Sequence, residues 1–298
     1  MIGEVTGIRR VRRLDLQLTY RCSSECRLCR QGELLGHADA FTAEQAVALL
    51  SLMHEEYGTQ AVAVCGGELF AQGELGRVVR HAKRELRLRV EVGTDGYRIE
   101  RWLAEISPYV DLLGISLDGL GPARRSVRGS GRPGRPGRPG SALRAFELAR
   151  AFGVRTGATM RVTSRNLDEV LPLARTAEEL GARRLTLRCP RPLGHAANHP
   201  GILTGNSAAY ARLRRRLREA LAIEVVVEED PPDGGGPGAG SPAGGPAEVE
   251  RIEADPRGAL TVSRTAAGED SHAFWYDKLA GRIVHRPVGG EEFTLAGV

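Results

Sequence analysis

An α/β chain built on a parallel sheet, followed by a small, mostly β C-terminal extension, is the fold class that the sequence predicts. Two observations carry this expectation. From residue 14 to about 221, short runs rich in Val, Ile, Leu and Thr alternate with longer segments of helical period. Strands joined through helices pair in parallel with right-handed crossovers. From 230 to 247 the chain then reads DPPDGGGPGAGSPAGGPA, a linker by composition, before a stretch with hairpin character.

The elements follow in order. Residues 1–13, MIGEVTGIRRVRR, form a short basic lead-in. Leu14, Leu16 and Leu18 then alternate with Asp15, Gln17 and Thr19, the period of a half-buried strand, and the chain breaks into a polar loop. Thr42 and Gln45 make a capping box at the head of an amphipathic helix through His54. The apolar run AVAVCGGELF, 61–70, is a second strand whose two glycines imply a sharp turn and close backbone approach. A helix near 73–85 precedes a strand at 88–96, a helix at 98–106 and a strand at 112–119. A strand at 155–164 is followed by a helix at 166–181 with Asn166 as N-cap, a sixth strand at 183–188 and a helix at 207–221. A Gly-Arg-Pro repeat marks residues 129–140 as a flexible insert, since it suits neither a helix nor a central strand. Beyond the linker, 248–298 opens with VERIEADPRGALTVSR, where Asp255-Pro-Arg-Gly258 stands as a turn between two alternating runs. The aromatic cluster Phe274-Trp275-Tyr276 is expected to be the core of that small unit.

Composition narrows the function. The net charge of +5 comes from forty arginines and two lysines, spread along the chain among acidic neighbours. Basic patches interleaved with aromatics are missing, so a nucleic-acid partner is not expected. No run of eighteen apolar residues and no secretory-type segment occurs, so the chain is expected to be cytoplasmic and away from membranes. Five cysteines in 298 residues are too sparse, and odd in number, for a disulfide framework.

Three of those cysteines crowd the polar loop after the first strand. Cys22, Cys26 and Cys29 stand at the spacing Cys-x3-Cys-x2-Cys, close enough to wrap a small inorganic cluster. Three thiolates on a four-iron four-sulfur cube leave one iron free to bind a small molecule. A structural zinc site wants four protein ligands, and the remaining cysteines, Cys65 and Cys189, stand alone. An iron–sulfur or zinc protein that binds a partner or senses redox state, without radical catalysis, is the alternative from another class.

At these residues the chain resembles the radical S-adenosylmethionine enzymes. The resemblance implies a partial (β/α)6 barrel over 14–229, one 4Fe-4S cluster held by Cys22, Cys26 and Cys29, and S-adenosylmethionine chelated to the fourth iron. It also implies reductive cleavage of that cofactor to a 5'-deoxyadenosyl radical that abstracts a hydrogen atom from a substrate. Leu28 stands where relatives have an aromatic residue, and a bulky apolar side chain can shield the cluster in its place. Gly66, Gly67 and Glu68 match the second-strand motif that grips the amino group, with Leu69 in place of the proline that often follows. Thr94-Asp95-Gly96 ends the third strand where relatives often carry Thr-Asn-Gly.

Ser116 and Asp118, in SLDG, look like the ribose-contacting strand end of relatives that modify peptides, and Arg128 stands where those relatives often place an arginine for the carboxylate, with Arg124 and Arg125 close by as alternatives. Such relatives often carry auxiliary clusters in a cysteine-rich C-terminal SPASM or twitch domain. The extension here, 248–298, resembles a degenerate form of that domain and contains no cysteine, so one cluster is expected. The implied substrate is a ribosomally made peptide, with a small molecule in cofactor or secondary-metabolite biosynthesis as the alternative. An external one-electron reductant of flavodoxin or ferredoxin type is implied as a partner. Cys65, Asp95 and Cys189 are the candidates for a catalytic role: Cys65 also reads as a buried packing cysteine, Asp95 as ordinary loop solvation, and Cys189, which ends the sixth strand facing the same mouth, as a packing or pocket-lining residue.

Overall fold

The computed structural model describes residues 8–22, 26–67, 69, 73–119, 139–190, 192, 194–203, 207–229, 248–263 and 270–285. Glu68, Arg128, the linker 230–247 and nearly all of the insert 129–140 lie outside the described residues. Six strand–helix units come first: β1 (Arg10–Gln17) and α1 (Ala43–Tyr57), β2 (Ala61–Cys65) and α2 (Leu75–Arg84), β3 (Arg89–Thr94) and the short α3 (Leu103–Ile106). Next are β4 (Leu112–Ser116) and α4 (Pro139–Ala151), β5 (Thr156–Arg161) and α5 (Leu167–Glu179), β6 (Ala182–Arg188) and α6 (Ser207–Ala220). Four further strands precede the C-terminal edge: β7 (Glu224–Glu229), β8 (Glu248–Ala254), β9 (Ala259–Ser263) and β10 (Asp270–Asp277); β11 (Arg282–His285) forms that edge. All lie in one sheet of order β11-β10-β9-β8-β1-β2-β3-β4-β5-β6-β7. Pairing is parallel from β8 through β1 to β7 and antiparallel from β8 to β11.

Several expectations are corrected. The first strand takes in Arg10–Arg13 of the lead-in, where arginines surround the fully buried Val11 and hide the strand pattern. It is also not half-buried, because Asp15, Gln17 and Thr19 are all buried on the face opposite the leucines. α4 starts at Pro139, inside the predicted insert, and proline at a helix start already has the required φ and no needed N–H. A seventh parallel strand, β7, was hidden because three valines stand among acidic residues just before the Gly/Pro linker. The extension is not a unit with its own core: β8 lies parallel beside β1, and Phe274 and Tyr276 are buried in the same apolar core as the barrel strands.

Local chemistry explains the frame. Thr42 Oγ1 accepts from the Gln45 backbone N–H at 3.2 Å and Gln45 Oε1 accepts from the Thr42 N–H at 3.1 Å, the reciprocal box that starts α1. Asn166 precedes α5 without capping it. Its Oδ1 accepts from Thr163 N–H at 2.8 Å, while its Nδ2 donates to the carbonyls of Arg161 and Asp118 at 2.8 and 3.2 Å. That side chain ties the ends of β4 and β5 together.

The two faces of the strands divide by chemistry. Leu14, Leu16, Val62, Val64, Val90, Val92, Leu113 and Ile115 are fully buried against the helices. The alternate positions carry Arg13, Asp15, Gln17, Glu91, Arg184 and Arg188, together with small residues at Ala63, Gly93 and Gly114. A Cβ at Gly93 or Gly114 would meet nothing nearer than 3.7 Å, so the small residues leave open space in the barrel interior. Polar side chains on the inner face must pair when withdrawn from water. Arg184 accordingly makes a two-pronged contact to Glu91, 3.0 Å on each arm, and Arg13 holds Asp15 at 2.6 Å and Glu91 at 3.3 Å.

Candidate active site

A cavity of about 260 Å³ opens at the C-terminal ends of the parallel strands. Cys22, Cys26 and Cys29 all line it, as do Gly66 and Gly67 from the turn after β2. None of the three is joined in a disulfide. Among the described residues, no three His, Cys, Asp or Glu side chains converge as ligands of a single metal ion. A cube with one iron for each thiolate makes no demand that the sulfurs meet at one point, and the soft donor set suits iron–sulfur chemistry. Three thiolates from one loop therefore fit such a cluster.

The cysteine loop is held by backbone as much as by side chains. Cys29 N–H donates to the Cys26 carbonyl at 3.1 Å, and Gly67 N–H donates to the Thr19 carbonyl at 2.7 Å. A Cβ on Gly67 would collide with the Arg21 carbonyl and stand 3.1 Å from Cys22 Cβ, so the second-strand turn and the first cysteine are in direct apposition. From the other side, the segment after β6 docks on the loop. His195 N–H donates to the Cys29 carbonyl at 3.0 Å, and His195 Nδ1 lies 3.3 Å from the Cys26 carbonyl oxygen. Leu28 is buried against Ala196, Ile202 and Leu203, an apolar cover beside the cysteines. Burial pushes the Cys29 thiol up, Arg161 pulls it back, and the nearby Cys26 adds to the rise.

The other predicted residues divide. Ser116 and Asp95 line the cavity, with Asp95 Oδ1 accepting from Tyr97 N–H at 2.9 Å. Asp118 does not line it. Its carboxylate, 1% exposed, accepts from the Arg161 backbone N–H at 2.8 Å and from the Arg161 guanidinium at 2.9 Å. The expectation that Cys189 faces the mouth is also corrected. Arg184, Thr186 and Arg188 take the inner face, so strand alternation turns Cys189 outward into the apolar core, 1% exposed. Cys65 does line the cavity, and burial, followed by the charges of Asp15 and Glu253, pushes its thiol up to about 12. It therefore stays protonated at neutral pH.

Four contributors are not signalled locally in the sequence. Arg161, at the end of β5, faces the cavity with its guanidinium oriented by Asp118. It read as an ordinary strand residue, and the signal available was a lone cation among apolar neighbours. His195 lies in a short 3-10 helix, Gly194–Asn198, whose docking partner is far away in sequence. Arg251 and Glu253 of β8 also line the cavity, which nothing local to the extension announces.

Comparison with known proteins places these features. A model described as the radical SAM superfamily matches residues 16–185. A PqqA peptide cyclase from Streptomyces rochei is 26% identical over 208 residues, which are 69% of this chain and 55% of that protein. SuiB of Streptococcus suis bound to S-adenosylmethionine superposes with a TM-score of 0.69 at 14% identity, over 91% of this chain and 65% of SuiB. SuiB with its precursor peptide SuiA gives 0.68 at 13%, over 91% and 64%. The structure of anSMEcpe with bound AdoMet gives 0.62 at 14%, over 87% of this chain and 72% of that one. At these identities the superpositions show the fold, and the chain spans about half the length of the curated relative it matches.

Proposed function

The chain belongs to the radical S-adenosylmethionine superfamily, and on that premise we propose that it is an enzyme that modifies a ribosomally made peptide at a carbon–hydrogen bond. One observation carries the reading: three cysteines of a single loop and the two glycines after β2 line the same cavity. The superfamily uses a 4Fe-4S cluster and S-adenosylmethionine. When bound, these supply a reducible centre and a sulfonium whose one-electron cleavage yields a hydrogen-abstracting radical. An external donor of flavodoxin or ferredoxin type provides the electron.

The chain's residues take the following roles. Cys22, Cys26 and Cys29 hold the cluster as thiolates, and Leu28 with the 194–203 segment keeps water from it. The backbone at Gly66 and Gly67, with Glu68, accepts hydrogen bonds from the cofactor's ammonium group. Ser116 serves the ribose. Arg161 is the described cation suited to the carboxylate, alone or beside Arg128, because a guanidinium oriented by a buried aspartate meets a carboxylate without reorganisation. Asp118 is then a positioning residue for Arg161. Cys65 keeps its proton, and Asp95 offers a carboxylate at the cavity wall.

Arg161→Ala is expected to weaken S-adenosylmethionine binding about tenfold or more with iron content unchanged, since a charge-assisted hydrogen bond contributes roughly 1.5–3 kcal/mol. Equilibrium dialysis measures this, and unchanged affinity moves the carboxylate contact away from β5. Support for a peptide substrate comes from the naming of the curated relative for a peptide and from SuiB's complex with its precursor peptide. The test is to incubate the reconstituted protein with S-adenosylmethionine, reductant and the short peptide encoded nearest to it. A mass change in the peptide accompanied by 5'-deoxyadenosine is expected. Turnover with small molecules alone would replace the peptide by a metabolite.

A further inference from the structure

Both flanks of the cysteine loop are gripped by strands that carry no cysteine. Tyr20, two residues before Cys22, is fully buried, and its hydroxyl donates to Asp255 Oδ2 at 2.7 Å. Asp255 is itself immobilised by the β8–β9 turn. Its Oδ1 accepts from the backbone N–H groups of Arg257 and Ala259, each at 2.9 Å, and Arg257 Nη2 donates to Oδ2 at 2.9 Å. Gly258 closes that turn at φ +100, and a side chain there would collide with the Tyr276 carbonyl.

On the other flank, Arg30 directly follows Cys29, and its Nη2 donates to Glu253 Oε2 at 3.1 Å. Glu253 also accepts from Gln17, which in turn accepts from Gln31. The same strands hold the segment that leaves the loop. Lys278 Nζ donates to the carbonyls of Ala40 and Pro256 at 3.1 and 2.8 Å, and Phe41 stacks on Tyr276 with ring centroids 6.3 Å apart.

We propose that the C-terminal strands are the mount of the cysteine loop, with Asp255 holding its leading flank through Tyr20 and Glu253 its trailing flank through Arg30 and the Gln17–Gln31 pair. The extension thereby sets how readily the three thiols are exposed and, on the reading that they hold a cluster, how long the iron stays bound. Tyr20 and Glu253 are positioning residues in this scheme. They act on the site through the loop.

The test uses the full chain in two states. In the cluster-free, reduced protein, alkylation of each cysteine by N-ethylmaleimide is timed by mass spectrometry for wild type, Tyr20→Phe, Glu253→Gln and the double variant. Tyr20→Phe alters no charge, so its effect reports on loop motion rather than on thiol acidity. Cys189, buried in the core, is the internal clock for global opening. Loss of one charge-assisted hydrogen bond predicts about tenfold faster modification of Cys22, Cys26 and Cys29 in each single variant, with Cys189 unchanged. Glu250→Gln, an exposed position on the same strand, should leave all rates as in wild type.

In the reconstituted protein, iron release to a chelator should accelerate by a similar factor. Loop cysteines that react at wild-type rates in both single variants overturn the proposal, as does acceleration of Cys189 in step with the others. If wild type binds no iron, the cluster reading fails, but the alkylation rates still decide whether the loop is mounted in this way.

Discussion

Cys26→Ala is expected to reduce iron in the reconstituted protein from about four atoms per chain to near zero, because two thiolates cannot retain a cube that needs three protein ligands. The barrel should survive. Cys26 is buried, but it sits on a loop, and its Sγ takes no part in the apolar core formed by Leu14, Leu16, Val62, Val64 and their neighbours. Removing one loop sulfur falls among substitutions that cost about 1 kcal/mol, well within the stability of a domain of this size. Circular dichroism should therefore report an unchanged fold beside the missing iron. A fully loaded cluster in this variant would remove Cys26 from the ligand set.

Gly67→Ala is expected to have the second large effect, through backbone geometry. Its N–H holds the Thr19 carbonyl at 2.7 Å, which brings its Cα against the Arg21 peptide and the Cβ of Cys22. The obstacle to a new methyl group is main chain, which cannot rotate out of the way as a flexible side-chain tip can. Either the turn after β2 or the first cysteine must shift, at roughly 1–3 kcal/mol for overpacking of this kind, which corresponds to about a ten- to hundredfold loss in binding. S-adenosylmethionine affinity should fall by that amount, with the helical signal retained. Gly73→Ala is the matching control, since it lies outside the cavity lining and its Cβ would meet nothing within 4 Å. Equal effects of the two substitutions would mean that the apposition at Gly67 is not what aligns the site.

The parallel barrel was legible in the sequence because its signal is local. Alternating leucines at 14, 16 and 18, the Thr42 capping box and the glycine pair after β2 each depend on neighbours within a few residues. The same holds for the three cysteines, whose spacing alone places them on one loop. What escaped depends on partners distant in sequence. Cys189 is the exception: it looks cavity-facing as a strand-end residue, and the parity of its own strand, with Arg184, Thr186 and Arg188 on the inner face, assigns it to the core. Asp118 carries the strand-end pattern of a ligand contact, yet its carboxylate is spent on Arg161, 43 residues away. The role of the extension was hidden for the same reason. Its strand beside β1 and its grip on Tyr20 and Arg30 span more than two hundred residues, and a hairpin pattern says nothing about where the hairpin docks.

Anaerobic reconstitution with iron and sulfide, followed by reduction with dithionite and addition of S-adenosylmethionine, tests the central claim most directly. About four irons per chain and release of 5'-deoxyadenosine are the result expected of three cysteines holding one cube beside the cofactor cavity. Tightly bound zinc in tetrahedral geometry, with no 5'-deoxyadenosine formed, would contradict it and leave a metal-stabilised binding protein in place of a radical enzyme.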